Sequence, residues 1–105
     1  MHHKQQLLRL INQLFEAEKK LSRNQDLQVL ARNLERMKAA LEEMELRIIN
    51  PIGEPYNELR TDCECSIAGN PDKALFIREV LKPAVYEILE NRPQIIQKAV
   101  VIADN

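Results

Sequence analysis

Tryptophan is absent from this 105-residue chain, glycine occurs twice, and aromatic residues make up only 4%. So little glycine and aromatic side chain argues against a turn-rich sandwich or barrel, and predicts that helix dominates. Cysteine is scarce as well. Cys63 and Cys65 stand two apart, too close for a framework disulfide across a domain, and fit a reducing compartment. Neither charge is in excess, with 15 Lys and Arg against 16 Asp and Glu. Without a basic surplus the chain lacks the phosphate-neutralising charge that nucleic acid or an anionic membrane calls for. No apolar run approaches the ~20 residues of a membrane span, and the N-terminus has neither the apolar core nor the cleavage site of a secretory signal. These absences place the chain in the cytosol. The length allows one domain, or a small domain with a helical appendage.

What is present divides at the middle. Residues 1–50 carry nine positive and seven negative charges, and residues 51–105 carry six and nine. In the first part Leu7, Leu10, Leu14, Ala17 and Leu21 fall at alternating spacings of three and four, the stripe of a helix over residues 5–21. Leu8, Ile11 and Phe15 widen that stripe, so the helix needs more than one neighbour. The rhythm stops at Ser22–Asp26 and resumes with Leu27, Leu30, Leu34, Met37, Leu41, Met44 and Ile48, seven consecutive heptad positions. Ser22 and Gln25 have capping-box spacing, which favours a helix-turn-helix, a continuous helix with a three-residue stammer being the alternative. Asn50-Pro51 ends the second helix, because the residue before proline is pushed out of helical angles.

From residue 51 the signals are those of strands. Cys63–Ile67, Leu75–Leu81, Val85–Leu89 and Ile95–Ile102 are rich in β-branched residues, with Asn70-Pro71-Asp72 and Glu90-Asn91-Arg92-Pro93 as turns between them. The expected fold class is α+β. A helical hairpin (residues 1–50) forms a dimeric four-helix bundle, followed by a small β-sheet domain (residues 51–105) of about four strands. The dimer follows because one hairpin cannot cover both the wide stripe and the heptad seam, whereas four helices can. Its contacts are expected from Leu7, Leu10, Ile11, Leu14, Leu30, Leu34, Met37, Leu41 and Met44.

Chemistry-bearing patterns are few. Cys63 and Cys65 would share one face of a strand, with Asp62 and Glu64 as flanking oxygen donors, but a structural zinc site wants four ligands and the only histidines are at the far terminus. Glu42, Glu43 and Glu45 point different ways around a helix and read as a solvated face. No nucleophile has an accompanying histidine base, and Gly53 and Gly69 stand alone rather than in a phosphate-cradling run. No enzyme, metal or cofactor is expected.

Four segments carry a resemblance. Leu7–Ala17 reads L-L-R-L-I-N-Q-L-F-E-A. Ile52–Asn57 reads I-G-E-P-Y-N. Glu79–Ala84 and Ala99–Ala103 read E-V-L-K-P-A and A-V-V-I-A. In this order they resemble the GrpE nucleotide exchange factors of DnaK-type chaperones, whose patterns are roughly L-L-P-V-I-D-S-L-E-R-A, G-E-P-F-D, E-V-L-Q-P-G-Y and R-P-A-M-V-V-V-A. The chain departs from them at Thr61-Asp62-Cys63, where the family commonly has His-Glu-Ala. It departs again at Ala84-Val85, in two extra residues before Arg92, and at Ile96-Gln97-Lys98. The long helix that precedes the bundle in the family has no counterpart in this sequence.

The resemblance implies a homodimeric cochaperone that binds the nucleotide-binding domain of a DnaK-type chaperone and promotes ADP release, with no covalent chemistry. It implies partner contacts from the β domain: Glu54 and Tyr56 near its start, and Arg78, Lys82, Arg92 and Lys98 as charged contacts. A homodimeric scaffold or adaptor of the same architecture, without exchange activity, is the alternative.

Overall fold

The computed structural model describes residues 3–23 and 30–105. Among the described residues two helices are followed by seven strands: α1 (Lys4–Arg23), α2 (Ala31–Glu42), β1 (Leu46–Ile49), β2 (Pro55–Tyr56), β3 (Cys63–Ile67), β4 (Leu75–Lys82), β5 (Ala84–Leu89), β6 (Arg92–Gln97) and β7 (Ala99–Asp104). The fold class is α+β, and the chain forms two compact units, Met1–Leu46 and Arg47–Asn105. Helix does not dominate, since strand residues outnumber helical ones among those described. No helix among the described residues is long and apolar enough to cross a membrane.

In the helical unit, α1 buries Ile11, Leu14, Phe15 and Leu21. The buried arc is rotated from the expected stripe. Leu10 is 49% exposed, and Leu7 and Leu8 are half-buried. Among the described residues, part of the apolar arc of α1 is left uncovered. Near its end, Glu18, Leu21 and Ser22 share a cleft of about 160 Å³ with Ala31, Leu34 and Glu35 of α2. Ser22 donates its hydroxyl to the Lys19 carbonyl at 2.7 Å within α1. The expected cap partners Asn24, Gln25 and Asp26, and the first heptad position Leu27, lie outside the described residues.

The second helix is shorter than its heptads suggest. α2 closes with Glu43 donating to the Ala39 carbonyl (3.0 Å) and Met44 to that of Leu41 (3.0 Å). Glu45 then adopts φ +63°, a left-handed position that reverses the chain. Met44 therefore lies in the turn, and Ile48 lies in β1 rather than on a helix. The cause is tertiary. Leu46-Arg47-Ile48-Ile49 pairs with β5, Leu46 is fully buried, and β-branched residues suit a strand better than the end of a helix.

Two sheets make up the β unit, a three-stranded one ordered β1-β5-β6 and a four-stranded one ordered β2-β4-β7-β3. β3 runs parallel to β7, while β2 and β7 flank β4 antiparallel. The chain changes sheet at two corners. Pro83, buried and unable to donate an N–H, separates β4 from β5, and Gln97 donates its side-chain amide to the Pro83 carbonyl at 2.9 Å. Lys98 separates β6 from β7, so the apolar run 95–102 is two strands rather than the single one expected. Gln97 pairs with Val85 in one sheet and Ala99 with Cys63 in the other. Leu75, Ile77, Val80, Ala84, Val85, Ala99, Val101 and Ala103 form the buried interior.

Candidate partner-binding surface of the β unit

The segment Gly53-Glu54-Pro55-Tyr56 is fastened to β4 by backbone bonds. Asn50 accepts from the Ile52 N–H through its side chain (3.2 Å), Pro51 is buried, and its carbonyl accepts from the Glu54 N–H at 3.1 Å. Gly53 adopts φ +82°, a conformation that side-chain-bearing residues resist. This turn aims the Gly53 N–H at the Ile77 carbonyl (2.8 Å), and Ile77 donates in return to the Glu54 carbonyl (2.9 Å). Pro55 and Tyr56 then lie opposite Phe76 and Leu75.

Beyond β2 the Asn57 side chain accepts from the Leu59 N–H (2.8 Å) and its carbonyl from the Arg60 N–H (3.1 Å). The turn holds Leu59 88% exposed. Arg60 ties the segment together. Its Nε and Nη2 donate to the two oxygens of Asp62 at 3.0 and 2.7 Å, Nη2 also to Glu54 Oε1 at 3.1 Å, and Nη1 to the Pro55 carbonyl at 2.9 Å. These bonds hold the Asp62 carboxyl below its ordinary range and keep the guanidinium protonated more firmly than a free one.

Next to this clamp, burial and the adjacent Asp62 carboxylate push the Cys63 thiol up to about 11. Its sulfur lies 3.5 Å from Asp62 Oδ1. Asp62, weighed from sequence as an oxygen donor beside two thiols, is thus engaged by Arg60. Tyr56 and Tyr86 are both raised above the ordinary phenol value, chiefly by burial.

The six residues expected to touch a partner fall in three places. Glu54 and Tyr56 lie beside the start of β4, where the Arg78 guanidinium stands 5.3 Å over the Phe76 ring. Lys82, opposite Val100, shares the far end of the sheet with Lys98. Arg92 is at the tip of the β5–β6 hairpin, paired with Leu89. All but Tyr56 are exposed. Sequence reasoning did not single out Arg60, Leu59 or Phe76. The spacing Arg60-x-Asp62, which puts both side chains on one side of an extended backbone, is the signal that could have found the clamp. No family model, curated protein or solved structure matches the chain.

Proposed function

We propose that the chain is a GrpE-like cochaperone that binds the nucleotide-binding domain of a DnaK-type chaperone in the cytoplasm and promotes ADP release without covalent chemistry. One observation supports this reading above the rest: the resembling segments fall on defined elements, in order, across a helical unit and a separate β unit. Leu7–Ala17 lies within α1, Ile52–Asn57 is the stretch stitched to β4, Glu79–Ala84 runs through the corner at Pro83, and Ala99–Ala103 lies within β7. An exchange factor binds the open, nucleotide-poor conformation better than the closed one, and differential affinity alone shifts the population. A coupling of ~3 kcal/mol changes ADP affinity roughly 150-fold. The helical unit supplies a homodimer, and the β unit supplies the contacts.

The experiment is the off-rate of fluorescent ADP from the cognate chaperone, chased with unlabelled nucleotide, with and without this protein. Acceleration is expected, and charge reversal at Arg78, Lys82 or Lys98 weakens association and exchange together. An unchanged off-rate with demonstrable binding overturns exchange and leaves the adaptor. The scatter of the charged residues over three places, rather than one patch, favours that second reading.

A further inference from the structure

Three of the four edge strands of the β unit are blunted, and one is not. β2 has two residues, β1 has four, and β6 carries Arg92 and Pro93. β3 has five residues, no proline and no basic side chain, and it pairs with β7 without a bulge. Its backbone parity is fixed at both ends. The Asp62 carbonyl accepts from the Ala99 N–H at 2.9 Å, and the Ala68 N–H donates to the Ala103 carbonyl at 2.8 Å. Residues 62, 64, 66 and 68 therefore turn their backbone groups toward β7, and Cys63, Cys65 and Ile67 turn theirs to the side where no strand follows among the described residues. Cys63 is buried, which leaves Cys65 to Ile67 as the accessible stretch, with Ile67 40% exposed.

Side chains at this edge have two characters. Cys65 and Ile67 share the inner face with Val101 and Ala103. At the Ile67 end that face opens into a groove of about 360 Å³ lined also by Tyr56, Pro71, Ala74 and Leu75, with one acidic and one basic side chain, Glu58 and Lys73, in its lining. Glu64 and Ser66 point to the other face and are exposed. The neighbouring Asp62 is neutralised by Arg60, whereas Glu64 and Glu58 form none of the ion pairs found among the described residues.

We propose that the free edge of β3 is a docking site for an extended polypeptide segment of alternating apolar and basic residues. Main-chain bonds to Cys65 and Ile67 supply the attachment, as in strand addition generally. Alternation follows from the pleat: inward side chains of the added strand meet Ile67, Tyr56 and the groove, and outward ones stand beside Glu64. Charge complementarity with Glu64 selects basic over acidic outward residues, in a β unit that carries nine acidic against seven basic side chains. This site stands independently of the cochaperone reading.

The test titrates acetylated, amidated Lys-Val-Lys-Val-Lys-Val into the isotope-labelled full chain and follows backbone amides by NMR and hydrogen exchange. Strand addition slows exchange at Cys65 and Ile67, while Glu64 and Ser66, already in the ladder, change little. Ile67→Pro removes an edge-facing donor without touching the β7 ladder, and weakens binding about tenfold beyond Ile67→Ala. Should Ile67→Pro disturb the fold, N-methylation of the peptide's edge-facing amides gives the same loss with the protein untouched. Glu64→Lys shifts preference to Glu-Val-Glu-Val-Glu-Val. Absent binding, binding without the alternating protection, or equal affinity of wild type for both peptides overturns the proposal. Concentration-dependent protection of Cys65 and Ile67 without peptide replaces the peptide with a second copy, and also overturns it.

Discussion

Arg60 and Asp62 meet as a fork, with Nε at 3.0 Å from one carboxylate oxygen and Nη2 at 2.7 Å from the other. Both side chains are largely shielded, at 20% and 23% exposure, so the pair differs from the surface ion pairs that contribute almost nothing. Truncating Arg60 to Ala frees Glu54 and the Pro55 carbonyl too, and is expected to lower stability by about 2 kcal/mol, with Lys restoring only part because it cannot reproduce the fork. Asp62 has its folded-state pKa depressed below the ordinary 3.8. Its contribution is therefore complete above that value and is lost as pH falls through the lower, folded one. Urea melts of wild type and Asp62→Asn should differ most near neutrality and converge at the acid end. A difference that stays constant with pH would refute the assignment.

Gly53 carries a prediction of a different kind. Its Cβ position is open, so a methyl group meets nothing, yet φ is +82°. Gly53→Ala should cost about 1–2 kcal/mol through backbone strain alone. Gly69 is the reverse case. A methyl there runs into the side chains of Asp104 and Asn105, and Asn105 makes a reciprocal pair of bonds with the Asn70 backbone, at 3.1 and 2.7 Å. Gly69→Ala should loosen that latch and speed amide exchange at Asn70, while Gly53→Ala should do so at Gly53 and Ile77.

The strands that were legible in the sequence are those whose pattern is local. Cys63–Ile67 emerges with its expected bounds, and Leu75–Leu81 and Val85–Leu89 each gain one residue. β1 was hidden because Met44 and Ile48 continue the heptads of Leu34, Met37 and Leu41, so periodicity alone favours a longer helix. The deciding partner, β5, lies some forty residues away. The turn after β5 was misplaced for a related reason. Glu90 and Asn91, at φ +52° and +63°, form the whole two-residue loop, and Arg92-Pro93 already belongs to β6. Proline is tolerated there because the pair Leu89–Arg92 closes the hairpin, leaving Pro93 at a position whose N–H would face outward. The Arg60 clamp joins Arg60, which belongs to no pattern singled out in the sequence, to Glu54 of the Gly53-Glu54-Pro55 stretch and to Asp62, weighed there as an oxygen donor beside the thiols. Only the folded turn brings them together.

The two thiols should separate in reactivity. Cys63 is buried, with its pKa pushed up to about 11, whereas Cys65 is half-exposed. Iodoacetamide at pH 8 is expected to modify Cys65 first and Cys63 only on unfolding, because the thiolate is the reacting species. Mass spectrometry of the labelled peptides reads the order. Cys63→Ala should cost about 1 kcal/mol from lost packing, and equal labelling rates in the native protein would contradict the burial argument.

The dimer proposed for the helical unit can be probed where the single chain leaves apolar side chains uncovered. Leu10 is 49% exposed and Met37 47%, while Leu34 lines the cleft between α1 and α2. Glutamate at an exposed position of a monomer changes stability by only about 0.5 kcal/mol. The same glutamate inside a dimer interface leaves a carboxylate without a partner and costs several-fold more. Leu10→Glu and Met37→Glu should therefore convert a dimer to a monomer in sedimentation equilibrium while helical circular dichroism is retained. Leu34→Glu serves as the contrast, because it should also loosen the intrachain cleft and lower helicity. A wild-type chain that sediments as a monomer at micromolar concentration removes the dimer, and with it the reason for the wide apolar arc of α1.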